Sequence, residues 1–306
     1  MKAFFEQMFF SPKWYHYPLI VLLLPFSFIY GFAMWLRRKF VKTISFGVPI
    51  ISVGNLIVGG SGKTPFVIDL AARFFDVAII SRGYGRQSSG LLEVSRKGKV
   101  LVDVTQSGDE PMLMATSLSA ASVIVSEDRH RAIRLAIGQG AKVIILDDGF
   151  NRVELEKFDI LLEPVAVENY NTFPSGPFRE FMGARKYANI IAKEGKAFTR
   201  VVHIDNVTSS MVLVTAISNP KRLNEYLPPT VIKKIYYDDH AYFDEEILQN
   251  ILEENKASSI LCTSKDRVKM QGFKLPISEM KLKLEIKNEI FTKVDAYIKK
   301  ESTHEE

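Results

Sequence analysis

Short apolar runs alternate with amphipathic stretches along most of the chain from Pro49 onward. The runs are rich in β-branched residues and continuously apolar, which is typical of strands buried on both faces of a parallel sheet. The first predicted strands are PIISV, VAIIS, SVIVS, VIILDD, DILLE and ANIIAK. A helix is predicted from about Thr64 to Phe75. This alternation predicts a three-layer α/β/α domain, which we assign to residues 41–200.

A second alternating series predicts a smaller C-terminal α/β domain at residues 201–306. Its predicted strands are MVLVTAIS and SSILCTS, with helices near Lys221 to Tyr226, Glu245 to Glu254 and Asn288 to Lys299. Within the first series, just before the predicted strand ANIIAK, lies the segment NTFPSGPFREFMGAR, which ends at Arg185. Its prolines and glycines are typical of an ordered loop, so no regular element is predicted there.

The most hydrophobic segment lies near the N-terminus and runs from Trp14 to Leu36 without Asp, Glu, Lys or Arg. Such a length suffices to cross a hydrocarbon core of about 30 Å at about 1.5 Å per residue. Aromatic residues mark both ends, and the basic residues Arg37 to Lys39 that follow predict a cytoplasmic main body. We therefore expect residues 1–40 to form a membrane-associated helix. Pro18 and Pro25 leave open whether it spans the bilayer or lies in it as a kinked anchor.

The composition narrows the possible functions. The chain has 306 residues and a formal net charge of +5, without a dense Lys/Arg tract interleaved with aromatics, so a nucleic-acid partner is not expected. Its single cysteine, Cys262, excludes an intramolecular disulfide and a Cys-x-x-Cys metal knuckle. This pattern favours a protein of a reducing compartment, with the cytoplasm as the default.

A glycine-rich segment, VGNLIVGGSGKTP, lies between the first predicted strand and the first predicted helix. In a P-loop, bare backbone amides and the positive N-terminus of the following helix bind phosphate oxygens. Lys63 is expected to reach the β- and γ-phosphates of a nucleotide, and the Thr64 hydroxyl to ligate Mg²⁺. The strict motif fails, because Ile57 occupies the position of its first glycine. The alternative is a flexible glycine turn with a solvated lysine. The predicted nucleotide-binding residues are Gly59, Gly60, Ser61, Gly62, Lys63 and Thr64.

Two pairs of adjacent carboxylates are candidates for metal binding or catalysis. Asp147 and Asp148 end the run VIILDD, where a P-loop enzyme needs acids for its metal. The alternative for this pair is an acidic N-cap on a following helix. Asp109 and Glu110 precede a helix predicted to begin at about Met112, which alone is an ordinary capping signature. Beside a nucleotide, a carboxylate can also accept the proton of an attacking hydroxyl.

Histidine and arginine residues complete the candidate chemistry. His240 is the candidate partner of the Asp109 carboxylate, although a lone histidine is more often structural than catalytic. The segments SRGYGR and EDRHRA carry arginines that suit an anionic, phosphate-bearing substrate. Their alternative is ordinary surface or helix-end charge.

Taken in chain order, GNLIVGGSGKTP, SRGYGR, GDEP, DRHRA, ILDDGF, PSGPFRE, AISNPKR, DDHAYF and TSKDRVK resemble the tetraacyldisaccharide 4'-kinase family of lipid A biosynthesis. The resemblance spans nearly the whole chain, and that family has the same displaced first glycine. It implies a P-loop NTPase-like fold that uses ATP and Mg²⁺. It also implies transfer of the γ-phosphate to the 4'-hydroxyl of tetraacyldisaccharide 1-phosphate at the cytoplasmic face of the inner membrane, with no obligate protein partner.

The resemblance also implies roles for individual residues. Asp109 and His240 would act together as the base, and Lys63 would hold phosphates. The implied metal residues are Thr64, Glu110, Asp147 and Asp148, and the residues implied to face the sugar phosphate are Arg82, Tyr84, Arg179 and Glu180. One departure is that the family commonly reads DDGFQH, whereas Asn151 and Arg152 follow Phe150 here. Arg152 replaces an imidazole with a permanent cation, so no titrating or metal-binding role is expected at this position.

Two other functions compete with the kinase. A membrane-anchored GTPase needs N-K-x-D or T-K-x-D to recognise guanine, and in the nearest candidate, Thr263 to Asp266, the lysine and aspartate are adjacent. A non-catalytic nucleotide-binding subunit would use the apolar N-terminal helix for assembly and would require a partner. The kinase interpretation instead predicts activity of the purified chain alone.

Overall fold

The structure, a computed structural model, describes residues 2–59, 62–164 and 167–302. The helices of this part of the chain are α1 (Lys2–Phe10), α2 (Tyr17–Phe40), α3 (Lys63–Ala71), α4 (Val104–Ser107), α5 (Asp109–Ser117), α6 (Arg129–Gly138), α7 (Glu245–Glu254), α8 (Ser264–Arg267) and α9 (Asn288–Ser302). The first strands are β1 (Ile50–Gly54), β2 (Val77–Ser81), β3 (Leu92–Arg96), β4 (Lys99–Val100), β5 (Ser122–Val125), β6 (Val143–Asp147), β7 (Phe158–Leu162) and β8 (Ile190–Ala192). The later strands are β9 (Phe198–Asp205), β10 (Met211–Thr215), β11 (Val231–Tyr236), β12 (Ser259–Thr263) and β13 (Ile277–Ile286).

The chain forms two compact units, each discontinuous in sequence. The first unit is built from the described parts of Met1–Val67, Ile137–Thr199 and Ile286–Glu306. The second consists of Ile68–Ala136 and Arg200–Glu285. These units are defined by internal contacts and are not the predicted domains, whose boundaries near residues 40 and 200 stay a prediction.

The first unit contains a parallel array of strands in the order β6-β1-β7-β8. All residues of β1, β6 and β7 are buried, as their continuously apolar sequences predict. In the register, Val53 of β1 lies opposite Asp147 of β6. The carboxyl end of β6 therefore meets the end of β1 from which the glycine-rich loop departs.

Ile57, which breaks the strict P-loop spacing, has a packing role. It is 5% exposed and lies in an apolar cluster with Leu56, Phe150 and Phe178. It also forms an isolated antiparallel bridge with Phe178. A glycine at this position would remove a buried side chain from the cluster, which explains why an apolar residue stands there.

The second unit contains strands in the order β4-β3-β5-β2 and a sheet of five described strands in the order β11-β10-β12-β13-β9. The predicted strands β2, β5, β10 and β12 are present, and β2 pairs with β5 in parallel. Strands β3 and β4 were not predicted, and β3 pairs antiparallel with both β4 and β5. Gly98 turns this hairpin at φ +82, and a Cβ there would lie 1.8 Å from the Ser119 carbonyl oxygen, so only glycine fits.

The predicted helices differ from the observed ones mainly at their ends. Helix α3 begins at Lys63, directly after the glycine-rich loop, and α7 has the predicted bounds. Helix α5 begins at Asp109 rather than Met112, so its first turn includes the GDEP acids. The segment predicted as a helix near Lys221 is a 3-10 helix instead.

Helix α2 is docked along one face of the first unit. Within Trp14–Phe40 the chain is long and apolar enough to cross a membrane, with 17% of its most apolar window buried. Its buried positions are Ile20, Ser27 and Gly31. The Ser27 hydroxyl donates to Ser175 Oγ (2.7 Å), and a Cβ on Gly31 would lie 2.5 Å from the Phe181 ring. One side of the middle of the helix therefore packs on protein.

Candidate functional site

The glycine-rich loop is positioned by β1 and α3. Gly54 at the end of β1 is pressed against Phe150, because a Cβ there would lie 2.6 Å from the Phe150 Cβ. Gly59 and Gly62 have φ of +90 and +72, values that glycine adopts without strain. Gly60 and Ser61, both predicted to bind nucleotide, lie outside the described residues. The described part of the loop has the strand, the left-handed glycines and the helix start that a P-loop requires.

Lys63 and Thr64 open helix α3 beside the acidic pair. Lys63 Nζ lies 3.5 Å from Asp148 Oδ1, and Arg179 Nη1 lies 2.7 Å from Asp148 Oδ2. Burial acts to raise the pKa of the Asp148 carboxyl, but the charges of Lys63 and Arg179 outweigh it and lower that pKa. Asp148 is therefore held as a carboxylate between two cations.

Asp147 and Asp148 stand at a turn rather than at a helix start. Asp147 is the last residue of β6 and is 4% exposed, while Asp148 has φ +55. The residues that follow form turns, and the N-cap alternative is wrong because no helix begins there in the described chain. Gly149 fits closely, since a Cβ on it would lie 2.8 Å from the Ser52 Cβ of β1.

The second unit brings Asp109 and His240 together across 131 positions of sequence. His240 Nδ1 lies 2.9 Å from Oδ2 and 3.1 Å from Oδ1 of Asp109, whose Oδ1 also accepts from the Glu110 backbone N–H (2.9 Å). The Asp109 carboxylate is 4% exposed, and Nζ of Lys265 and of Lys269 lie 3.7 and 4.0 Å from it. The pair forms the arrangement in which a carboxylate orients an imidazole.

The charges around Asp109 keep it ionised. Burial acts to raise the pKa of this carboxyl, but the hydrogen bond with His240 and the charges of Lys265 and Lys269 lower it below its usual range. Lys265 also lies 3.2 Å from Glu110 Oε1. Burial acts to lower the pKa of Lys265, whereas Glu110 and Asp109 raise it and prevail, so the ammonium stays charged.

The residues predicted to face the sugar phosphate have different surroundings. Arg82 and Tyr84 are exposed, and the Tyr84 ring lies 5.5 Å from the His240 ring, centroid to centroid. Arg179 is paired with Asp148, as described above. Glu180 is 4% exposed, and its carboxylate accepts two hydrogen bonds from Arg38 (2.7 Å each) and one from Asn151 Nδ2 (2.7 Å).

The predicted metal residues are distributed over both units. Thr64, Asp147 and Asp148 belong to the first and Glu110 to the second. Among the described residues there is no cluster of three or more His, Cys, Asp or Glu side chains that could hold a metal ion. The oxygen donors Thr64, Asp147 and Asp148 nevertheless fit Mg²⁺, which in nucleotide sites uses one or two carboxylates together with substrate phosphates and water.

Three contributors were assigned no role from the sequence. Lys265 and Lys269 lie in the quoted segment TSKDRVK, and Arg38 lies at the end of the apolar helix. Arg38 is stacked over the Phe150 ring, 4.7 Å from its centroid, and donates to the Phe150 carbonyl (3.3 Å). Asn151, at the departure from the family pattern, binds Glu180, so here its amide has a structural role.

Arg38 and Arg37 offer a matched pair of variants for the stability of this region. Arg38→Ala is expected to lower the free energy of unfolding by about 3–5 kcal/mol, because it leaves the buried Glu180 carboxylate without its cation. Arg37→Ala should cost about 1 kcal/mol or less, since the Arg37 side chain is 39% exposed in its pair with Glu154. Urea unfolding in detergent measures both changes, and equal losses would contradict the expectation.

Comparisons with known proteins identify the family. The sequence model of the family described as Tetraacyldisaccharide-1-P 4'-kinase matches residues 19–301. The tetraacyldisaccharide 4'-kinase of Helicobacter acinonychis is 48% identical over 299 residues, which is 97% of this chain and 95% of that protein. That of Aliarcobacter butzleri is 45% identical over 304 residues, covering 96% of each chain.

A solved structure agrees with the sequence comparisons. The crystal structure of LpxK from Aquifex aeolicus in complex with ATP superposes with a TM-score of 0.78 at 30% identity, covering 92% of this chain and 99% of that one. The predicted fold class, a P-loop NTPase-like α/β architecture with an apolar N-terminal helix, is confirmed. The chain belongs to the tetraacyldisaccharide-1-P 4'-kinase family.

Proposed function

We propose that this chain transfers the γ-phosphate of ATP to the 4'-hydroxyl of tetraacyldisaccharide 1-phosphate. Family membership supports the reaction, and the carrying observation is the 2.9 Å contact between His240 and the buried carboxylate of Asp109. A nucleotide-binding subunit without catalysis has no need of a carboxylate-oriented imidazole, whereas transfer to a hydroxyl needs a group that takes its proton. The guanine-recognition spacing that a GTPase requires is also missing at Thr263 to Asp266.

In the proposed reaction the Asp109–His240 pair takes the proton of the 4'-hydroxyl while the oxygen of that hydroxyl bonds to the γ-phosphorus. The bond from this phosphorus to the oxygen that bridges the β- and γ-phosphates breaks, and ADP leaves. A hydrogen bond donated by Nδ1–H to the Asp109 carboxylate leaves the lone pair on His240 Nε2, which accepts the proton of the hydroxyl. The ionised Asp109 then stabilises the imidazolium. Lys265 and Lys269 support the step, because they keep Asp109 negative.

The other half of the proposed chemistry is phosphate binding in the first unit. The amides of Gly59 to Gly62 and the start of α3 would bind the phosphates, and Lys63 would neutralise charge that develops during transfer. Thr64, Asp147 and Asp148 would hold Mg²⁺, which supplies further neutralisation of the phosphate oxygens when bound. Glu110 was predicted with them, and its carboxylate lies 3.2 Å from Lys265 Nζ in the second unit. Arg82, Tyr84 and Arg179 are proposed to contact the sugar phosphate. Glu180 was predicted with them, and its bonds to Arg38 and Asn151 favour a supporting role instead.

The proposed location is the cytoplasmic face of the inner membrane, with α2 lying in the interface. Exposed apolar side chains of α2 support this, and so do the arginines and lysine in its last turn. A helix whose middle is hydrogen-bonded to protein through Ser27 suits a monotopic anchor better than a free span. The predictions of no nucleic-acid partner and no obligate protein partner are part of the same proposal.

The membrane proposal predicts a loss of vesicle binding in Phe26→Ser/Phe28→Ser. These side chains are 60% and 65% exposed on α2. Each substitution should remove about 1.5–3 kcal/mol of the free energy gained by burying the phenylalanine in lipid, so the affinity for vesicles should fall at least tenfold. Flotation with phosphatidylethanolamine/phosphatidylglycerol vesicles measures it. The control is Phe75→Ser, which removes an 87% exposed phenylalanine elsewhere, and equal flotation of all three proteins would contradict the proposal.

The function is tested by following ³²P from labelled ATP into tetraacyldisaccharide 1-phosphate, with purified protein, Mg²⁺ and detergent. We expect labelled lipid from this chain alone. Release of free phosphate from ATP or GTP without labelled lipid would overturn the acceptor and favour an NTPase. ATP binding with neither product would favour a nucleotide-binding subunit.

A further inference from the structure

The segment Thr263–Lys269, whose spacing excludes guanine recognition, surrounds a fully buried carboxylate. Asp266 is 0% exposed, and its Oδ2 accepts from the hydroxyls of Thr215 (2.6 Å) and Thr263 (2.7 Å). Its Oδ1 accepts from the Ala216 backbone N–H (3.0 Å), with Lys269 Nζ 3.3 Å away. Every lone-pair direction of this carboxylate thus meets a donor at the carboxyl ends of β10 and β12.

The Ala216 peptide links Asp266 to the proposed base. Its N–H is bound by Asp266, and the Ala216 carbonyl accepts the backbone N–H of His240 (3.1 Å). His240 has φ +66, a conformation that costs free energy in a non-glycine residue and persists only where surrounding contacts impose it. The contact with Ala216 is one of those that fix the backbone of the histidine.

Lys269 supplies a second link from the same carboxylate. Its side chain is 1% exposed, and its Nζ donates to the carbonyl of Ala241, directly after His240 (2.9 Å). The same Nζ lies 4.0 Å from Asp109 Oδ2. Asp266 therefore orients a lysine that contacts both the chain beside His240 and the carboxylate that binds the imidazole.

We propose that Asp266 is a positioning residue for the Asp109–His240 pair, acting through the Ala216 peptide and Lys269. This inference rests on the proposed function, in which that pair is the base. Without the charge of Asp266, Lys269 loses its closest anion and the Ala216 N–H keeps only a neutral acceptor. The imidazole then samples orientations that do not point its free nitrogen at the acceptor hydroxyl, and misplacements of about 1 Å cost about a hundredfold in rate.

The test is a double-mutant cycle of Asp266→Asn and His240→Ala, measured as kcat for transfer of phosphate to the lipid. As a single substitution, Asp266→Asn should lower kcat by roughly tenfold to a hundredfold, the effect of misplacing a reacting group. The KM for ATP should stay within about twofold of that of the unmodified protein. In the His240→Ala background it should have almost no further effect, because the group it positions is gone. Equal losses in both backgrounds would overturn the proposal and indicate a general structural role.

Two further variants serve as a control and as a substitute for Asp266→Asn. Glu279→Gln neutralises the carboxylate that accepts from the Ser264 hydroxyl in the same segment, without touching Ala216 or Lys269, and its kcat should be unchanged. If Asp266→Asn does not fold, Thr215→Val removes a single donor to Asp266 and should lower kcat in the same direction, more weakly. An unchanged kcat in folded Asp266→Asn, or in folded Thr215→Val where Asp266→Asn does not fold, would contradict the proposal.

A spectroscopic measurement separates this inference from the proposed function. The ¹⁵N and ¹H resonances of the His240 ring report its hydrogen bond to Asp109 whether or not lipid is phosphorylated. We expect them to shift in Asp266→Asn and to stay in place in Glu279→Gln. Shifted resonances without any transfer by the unmodified chain would support the positioning role and reject the kinase reaction. Unshifted resonances would reject the positioning role.

Discussion

Asp109→Asn is expected to lower kcat for lipid phosphorylation by about 10²–10⁴-fold. The substitution keeps the size of the side chain but removes the charge that orients His240 from 2.9 Å and stabilises its protonated form. An amide can also donate to Nδ1, which would put the remaining proton on Nε2 and leave no acceptor for the hydroxyl. The KM for ATP should change little, because the phosphates are proposed to bind at the other unit's loop. Steady-state transfer of ³²P to the lipid measures both constants.

The pair should behave as one unit in this measurement. His240→Ala is expected to cost a similar factor, and the double variant should be little slower than either single one, since each removes the same base. Glu246→Gln, which neutralises an exposed carboxylate on α7, serves as the charge control and should retain full activity. Losses that multiply fully in the double variant would mean that Asp109 and His240 act separately.

Lys63→Ala is the second variant expected to abolish most activity, lowering kcat by about 10²–10³-fold. Its ammonium lies at the start of α3 and now pairs with Asp148 at 3.5 Å, so it is held where a P-loop lysine meets nucleotide phosphates. Unlike Asp109→Asn, this change should also weaken ATP binding, because it removes a positive charge that contacts the nucleotide in the ground state. Transfer kinetics and ATP titration of the same preparations measure the two effects.

The control for Lys63 is Lys293→Ala, which removes one exposed lysine from α9 and leaves the net charge of the two variants equal. Retained lipid phosphorylation by a folded Lys63→Ala protein would contradict the assignment of the loop. If ATP binding falls while the few productive complexes turn over at the normal rate, Lys63 contributes to nucleotide binding alone and not to the transfer step.

The sequence predicted best those elements whose pattern is local. Strands β1, β2, β5, β6, β7, β10 and β12 were all expected, because an uninterrupted apolar run is buried on both faces wherever it pairs. Strands β9 and β13 were missed. Both alternate between more and less exposed residues and carry many charged side chains, so only their pairing partners identify them as strands.

The sequence by itself also determined the order of the motifs. The glycine-rich loop before α3 could be recognised because its strand, its glycines and the lysine at the helix start are neighbours in the chain. The contact of Asp109 with His240, the pairing of Lys63 with Asp148, the burial of Glu180 under Arg38 and the links from Asp266 were decided only by the tertiary structure. The partners in these contacts are mostly more than fifty residues apart, and no local propensity specifies which distant side chain will reach a given carboxylate. Burial decides it, because a charge removed from water must find its counter-charge or hydrogen-bond donors wherever the packed sheets bring them.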